Sequence, residues 1–364
     1  MATLEAQRAL AANLDAQMLA LADEIVVDPR RSSLSTLQVQ RALVQEQLNA
    51  YKYPVLTLPT EIICEIFIHF LPVYPECPPP AGILSPTNLT QICRQWRDIA
   101  LATPMLWRAV YMCPEDAGVV QQMHELNISI WLGRSLGCPF SIEILTPYGS
   151  RRGFMFSSAQ STRLEYLKVL LRASSSLVIE EGPMPLLRHL DLAFQYPEMS
   201  EPVVFPDAPL LRSAVLNDNA IQAVVLPWAQ LTELTLHRVF PEECTPVLQL
   251  TSNLVYCKLT IAESSGVHRA RPDVTLLCLE SLTLEPHRLN TKTSGYLETF
   301  IVPTLCHLQV KEQLLGSEPV DSLTTFVSKS ECTLEAIYIS GKRRLSEDVY
   351  RHAFPSIELS FDEA

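Results

Sequence analysis

Apolar positions along this chain follow two regimes, helical spacing up to about residue 112 and a short strand-like pattern from about residue 150. Leu10, Leu14, Met18, Leu21 and Ile25 form one helical stripe, broken at Asp28-Pro29-Arg30-Arg31-Ser32-Ser33. A second stripe (Leu37, Val44, Leu48, Tyr51) predicts a helix from about Ser35 to Tyr51. Residues 1–53 therefore read as a helical hairpin or coiled-coil-like segment. Next, Leu58, Ile62, Ile66 and Phe70 recur every four residues, with Ile63, Phe67 and Leu71 widening the stripe. Pro59 suits the opening turn, where its missing N–H is no loss, and Glu61 complements the positive helix end. Ser85-Pro86 starts another helix, whose apolar positions Leu89, Ile92, Cys93, Trp96, Ile99 and Ala100 run on without interruption. Thr103-Pro104 repeats the start signal ahead of Leu106 and Trp107. Residues 119–136 read helical, and Phe140, Ile142 and Ile144 alternate like a strand.

From there the chain repeats itself. The pattern L-x-x-L-x-L, with substitutions, starts at Leu164, Leu187, Leu211, Leu231, Leu254, Leu279, Leu305 and Leu334. Successive spacings are 23, 24, 20, 23, 25, 26 and 29 residues, the range of leucine-rich repeats. Each copy offers one strand whose leucines can be covered only by stacking on the next copy. Only the copy at Leu211 also carries the asparagine, Asn219, that the full motif places after the strand. An irregular solenoid with mixed helical and loop returns is expected. Residues flanking the inward leucines should then line the concave face: Tyr166, Lys168, His189, Asp191, Glu233, His237, Tyr256, Lys258, Glu285, His307, Lys311 and Tyr338. Such a polar strip of mixed charge suits a protein or peptide client.

The block from residue 54 to 112 resembles an F-box domain. The resemblance rests on Leu58-Pro59-x-Glu61-Ile62, Ile66-Phe67, Cys93-Arg94-x-Trp96 and Pro104-x-Leu106-Trp107, in the family's order. The whole layout looks like the F-box proteins that mushroom-forming fungi carry in large numbers. The resemblance implies docking on a Skp-type adaptor, which links the chain to a cullin ubiquitin ligase. It assigns that contact to Leu58, Pro59, Ile62, Ile66, Phe67, Leu89, Ile92, Trp96, Leu106 and Trp107, as surface or as the core beneath it. Val73 to Leu84 departs from the family as a proline-rich insertion, expected to loop out.

A formal charge of −12 argues against a sequence-independent grip on nucleic acid. No apolar run reaches the ~18 residues of a membrane-spanning helix, and the N-terminus lacks a signal-peptide core. A cytoplasmic or nuclear location follows as the expectation. Ten scattered cysteines include no C-x-x-C pair and read as reduced, mostly buried thiols. Gly133-Arg134-Ser135-Leu136-Gly137 matches the G-x-S-x-G elbow, but Pro139 and a strand follow where that motif needs a helix. The same stretch, Trp131-Leu132-x-Arg134-Ser135, looks like a segment common in the fungal family. His189, His237 and His307 come from distant repeats without neighbouring ligands, so no metal is expected, and no phosphate loop points to a cofactor.

The reading is an α+β chain without catalytic residues: residues 1–53 helical, 54–112 F-box, 113–150 a connecting helix and first strand, and 151–364 a leucine-rich-repeat-like α/β solenoid. Its expected role is client recognition within a cullin-type ubiquitin ligase. The alternative is a non-catalytic scaffold that no longer binds the adaptor, and a hydrolase using Ser135 is a more distant rival.

Overall fold

The computed structural model describes residues 2–22, 29–50, 54–112, 129–146, 153–172, 176–180, 182–195, 202–205, 207–263, 272–288 and 295–362. The chain forms two compact units, Met1–Ile66 and Phe67–Ala364. In the first, α1 (Ala2–Ala22) and α2 (Pro29–Ala50) run antiparallel. Gln7 donates to Gln47 at 3.2 Å and Arg41 pairs with Asp15 at 3.0 Å, which sets that direction. Leu14 and Val44 are buried in the seam, whereas Leu10 of the predicted stripe is exposed. α2 begins six residues before the expected Ser35, at Pro29, because proline fits the first helical turn.

α3 (Thr60–Phe70) follows, and the division between the units falls inside it. Its first turn closes with the Ile63 N–H donating to the Pro59 carbonyl at 3.1 Å. The single helix expected from Ser85 is two, α4 (Pro86–Ile92) and α5 (Arg94–Leu101). Cys93 is extended between them, and its thiol sulfur accepts from the Trp96 N–H at 3.4 Å, ending one helix and capping the next. Apolar spacing alone does not signal such a break. Pro104–Trp107 is a single 3-10 turn.

Among the described residues the second unit is built on one parallel sheet of eleven strands in chain order. The strands are β1 (Ala109–Met112), β2 (Phe140–Leu145), β3 (Leu164–Leu171), β4 (His189–Phe194) and β5 (Ser213–Asn217). They continue as β6 (Glu233–Val239), β7 (Tyr256–Ile261), β8 (Ser281–Pro286), β9 (His307–Lys311), β10 (Ala336–Ser340) and β11 (Glu358–Phe361). The register aligns the repeats residue by residue: Leu167, Leu190, Ala214, Leu234, Cys257, Leu282, Leu308 and Ile337 stand side by side. All eight of those side chains are buried. First-position leucines from Leu164 to Leu305 are 0% exposed and Leu334 is 7% exposed, so each copy seals the core ahead of its strand.

Returns between strands vary. Among the described residues three short parallel pairs occur there: Gly153–Phe156 with Ser176–Ile179, Val203–Val204 with Val224–Val225, and Val274–Thr275 with Phe300–Ile301. Others are helices, among them Pro241–Leu250 and Pro319–Ser330. Parallel sheets are usually covered on both faces. Here one face is apolar and buried while the other carries polar side chains at alternate positions, the one-strand-per-repeat pattern of a solenoid. Of the expected helix at 119–136, residues 129–134 are helical and 113–128 lie outside the described residues.

Two expectations need correction. The insertion after α3 does not loop out. Tyr74 donates to the Glu165 carboxylate at 2.8 Å and packs edge-on against Tyr166, and the Cys77 thiol lies 3.7 Å from the Ser141 hydroxyl. Proline rigidity makes this strap cheap to order. Nor are the thiols mostly buried: of the nine described, Cys244, Cys257 and Cys332 are buried, Cys278 is exposed and the other five are intermediate.

Candidate functional site

The α3 helix has two apolar faces. Ile63 and Phe67 are 1% and 0% exposed, and the Phe67 ring meets Trp96 edge-on with centroids 4.9 Å apart. Leu58, Ile62 and Ile66 are 36%, 48% and 42% exposed at successive turns, with Pro59 exposed beside Leu58. A four-residue repeat and its neighbour one position on lie about 100° apart on a helix, so one sequence fills a core and leaves a second stripe open. Ile92 is also exposed, and Trp96 is half-buried. Phe67, Leu89, Leu106 and Trp107 are buried and belong to the core, so they are removed from any contact surface. The Trp107 indole N–H donates to the Ala100 carbonyl at 2.8 Å, and Trp131 packs edge-on against its ring. That bond and that packing leave Trp107 nothing to offer a partner.

All twelve candidate client-binding residues lie on the open face of the sheet, in rows set by the register. Tyr166, His189, Glu233, Tyr256 and His307 share one row, and Lys168, Asp191, Lys258 and Tyr338 the next. His237, Glu285 and Lys311 lie one step further along their strands.

Half of them are already engaged. Lys168 pairs with Glu143 at 2.8 Å and Lys258 with Glu285 at 3.1 Å. His189 Nδ1 lies 3.0 Å from the Ser213 hydroxyl, Tyr338 bonds Asp362, and Tyr166 is flanked by Tyr74 and His189. Asp191, Glu233, His237, Tyr256, His307 and Lys311 make no side-chain hydrogen bond or ion pair among the described residues. Tyr256, 52% exposed, stands in the same row as exposed Glu233 and His307.

Burial acts on the two titratable groups at β4 in opposite senses. It pushes the Asp191 carboxyl above the usual carboxylate range, against the pull of Lys168. It pushes His189 below the ordinary imidazole value, against the pull of Asp191 and Glu233. Both shifts disfavour the charged form, as desolvation does.

Asn219 has a structural task. Its side chain donates to the Phe194 and Gln195 carbonyls at 2.8 and 3.1 Å, and Asn217 both donates to and accepts from the Phe194 backbone. Ser135 is 0% exposed; its hydroxyl donates to the Leu132 carbonyl at 2.8 Å and accepts from Arg163 at 2.7 Å. It sits just past the helical residues 129–134 rather than at a strand-to-helix elbow. His189 and His307 are five strands apart, and no group of three His, Cys, Asp or Glu suited to a metal occurs among the described residues. Among the same residues no helix is long and apolar enough to cross a membrane.

No model of a known protein family matches this chain, and neither does any curated protein.

Proposed function

We propose that this chain is the client-recognition subunit of a cullin-type ubiquitin ligase, with an F-box docking on a Skp-type adaptor and leucine-rich repeats holding a client protein. The observation that carries this reading is the open stripe of Ile62 and Ile66 on α3, continued by Leu58 just ahead of the helix, while the other apolar face is filled by Ile63 and Phe67. Three large aliphatic side chains exposed at four-residue intervals are an interaction surface awaiting a partner. Pro59 and Ile92 add to the exposed apolar positions.

The client lies along the open face of the sheet. Tyr256 is the aromatic anchor there, with Glu233, His307 and Lys311 as uncommitted polar partners. The chain performs no chemistry. It raises the local concentration of client lysines near a ubiquitin-conjugating enzyme brought by the cullin, an effect of proximity. It acts in the cytoplasm or nucleus, without a cofactor.

A pull-down of the purified chain with a fungal Skp-type adaptor tests the reading, wild type beside a Leu58→Ala/Pro59→Ala variant. Truncation at the centre of an apolar interface typically costs ~2 kcal/mol or more, about thirtyfold in affinity. Capture by the wild type and loss in the variant is the expected result. A folded wild type that ignores the adaptor leaves the scaffold reading, in which the repeats assemble a complex on their own.

A further inference from the structure

The end of α3, the proline-rich strap and the turn ahead of β1 enclose a cleft of about 320 Å³. Leu71, Pro72, Pro78 and Met105 give it apolar walls, and among the described residues Arg108 is its one guanidinium. Small-molecule pockets run from about 300 to 1,000 Å³, mostly apolar with a few placed polar groups. The cleft matches that description.

Arg108 is held in a defined orientation. Its guanidinium carbon lies 3.8 Å from the centre of the Tyr74 ring. Tyr74 is itself fixed by its bond to Glu165, whose other oxygen accepts from Arg188 at 3.0 Å. Stacking occupies a face of the guanidinium and leaves its edge N–H groups, and these find no acceptor among the described residues. A planar, pre-oriented fork with free donors is suited to a carboxylate, which it can bind through two parallel hydrogen bonds. A salt bridge this close to solvent adds little alone. The adjoining apolar wall supplies the remaining affinity, so the ligand must carry a hydrocarbon part.

His69 and Glu76 are the other ionisable side chains lining the cleft, apart from Tyr74. Glu76 is exposed at the rim, where its charge opposes a second acidic group on the ligand. A monocarboxylate therefore fits better than a dicarboxylate.

We propose that this cleft binds a small amphipathic monocarboxylic acid, with the hydrocarbon part against Leu71, Pro72, Pro78 and Met105 and the carboxylate on Arg108.

Isothermal titration of the full chain with octanoate and with neutral octanamide, both below micelle-forming concentrations, tests it. Octanoate should bind at least tenfold tighter than the amide. Arg108→Gln should erase that preference. Met105→Trp, which narrows the cleft from its apolar wall, should weaken both ligands at least fivefold. Thermal melting identifies variants that are folded. Absence of binding by both compounds, equal binding of acid and amide, or a preference that survives in Arg108→Gln overturns the proposal. So does tighter binding of an apolar peptide with a free C-terminal carboxylate, which would make the occupant a protein tail.

Discussion

The Tyr74 hydroxyl reaches the Glu165 carboxylate at 2.8 Å across 91 positions of sequence, and so fastens the proline-rich strap to β3. Tyr74→Phe keeps the ring under Arg108 and deletes one hydrogen bond, worth about 1 kcal/mol net. The amides at positions 73, 74, 76 and 77 should then exchange about fivefold faster, with little change in the sheet. The phenol is pushed well above its ordinary value by burial first and by Glu165 second. A raised folded pKa means the contribution is whole below the ordinary phenol value of about 10 and is lost as pH rises beyond it. The protection factors of the strap amides, with the base-catalysed intrinsic rate divided out, should fall above that pH in the wild type and stay flat in the Phe variant.

The two faces of α3 should respond differently to substitution. Ile62→Asp or Ile66→Asp alters an exposed position and should leave the melting temperature almost unchanged while abolishing adaptor capture. Phe67→Ala empties a fully buried site and should cost about 3–5 kcal/mol. Circular-dichroism melts beside the pull-down separate these outcomes.

On β4, the neighbours Asp191 and His189 should give opposite pH signatures. Asp191 has a raised carboxyl pKa, so its charge weakens the fold at neutral pH. Asp191→Asn should raise the melting temperature at pH 7, and the gain should shrink as pH falls toward 4. His189 is depressed, so its contribution is present above the ordinary imidazole value of about 6.5 and lost as pH falls below it. His189→Gln should flatten the melting profile between pH 7 and 5. Melts of both variants across that range check the signs.

Ser135 should be inert to a fluorophosphonate probe, because its hydroxyl is buried and bonded on both sides. Ser135→Ala should cost about 1–3 kcal/mol by stranding one Arg163 donor and the Leu132 carbonyl. Labelling of the wild type that the Ala variant loses would restore the hydrolase reading.

Much of the sheet is legible in the eight leucine-led copies, since each needs its neighbour to cover it. β1 and β11 escape that pattern, although both obey the same spacing. In β1 the sequence is Trp107-x-x-Val110-x-Met112, and in β11 it is Ser356-x-x-Leu359-x-Phe361. Val110 and Leu359 share the register of the inward leucines, so the position matters more than the residue type. The break at Cys93 is hidden because a thiol is not a familiar capping group. The strap is hard to place because prolines announce a turn but say nothing of what Tyr74 will touch. The division of α3 into filled and open faces depends on what surrounds the helix, which periodicity does not contain.

Glu233 to Leu236 of β6 pair in step with Tyr256 to Leu259 of β7, and the next pairing is Val239 with Ile261. His237 and Arg238 therefore share the interval that Thr260 spans alone, and Arg238 takes up the surplus with φ 57°. Asp218 holds that arginine through Nε at 2.8 Å and Nη2 at 3.0 Å. The extra residue is a phase slip in an otherwise periodic lattice. Side chains beyond it on β6 are one place out of step with those on β7. An extended ligand lying across the strands near His237 would therefore have to change pitch between β6 and β7, while one lying along the Glu233–Tyr256 row would cross without a step.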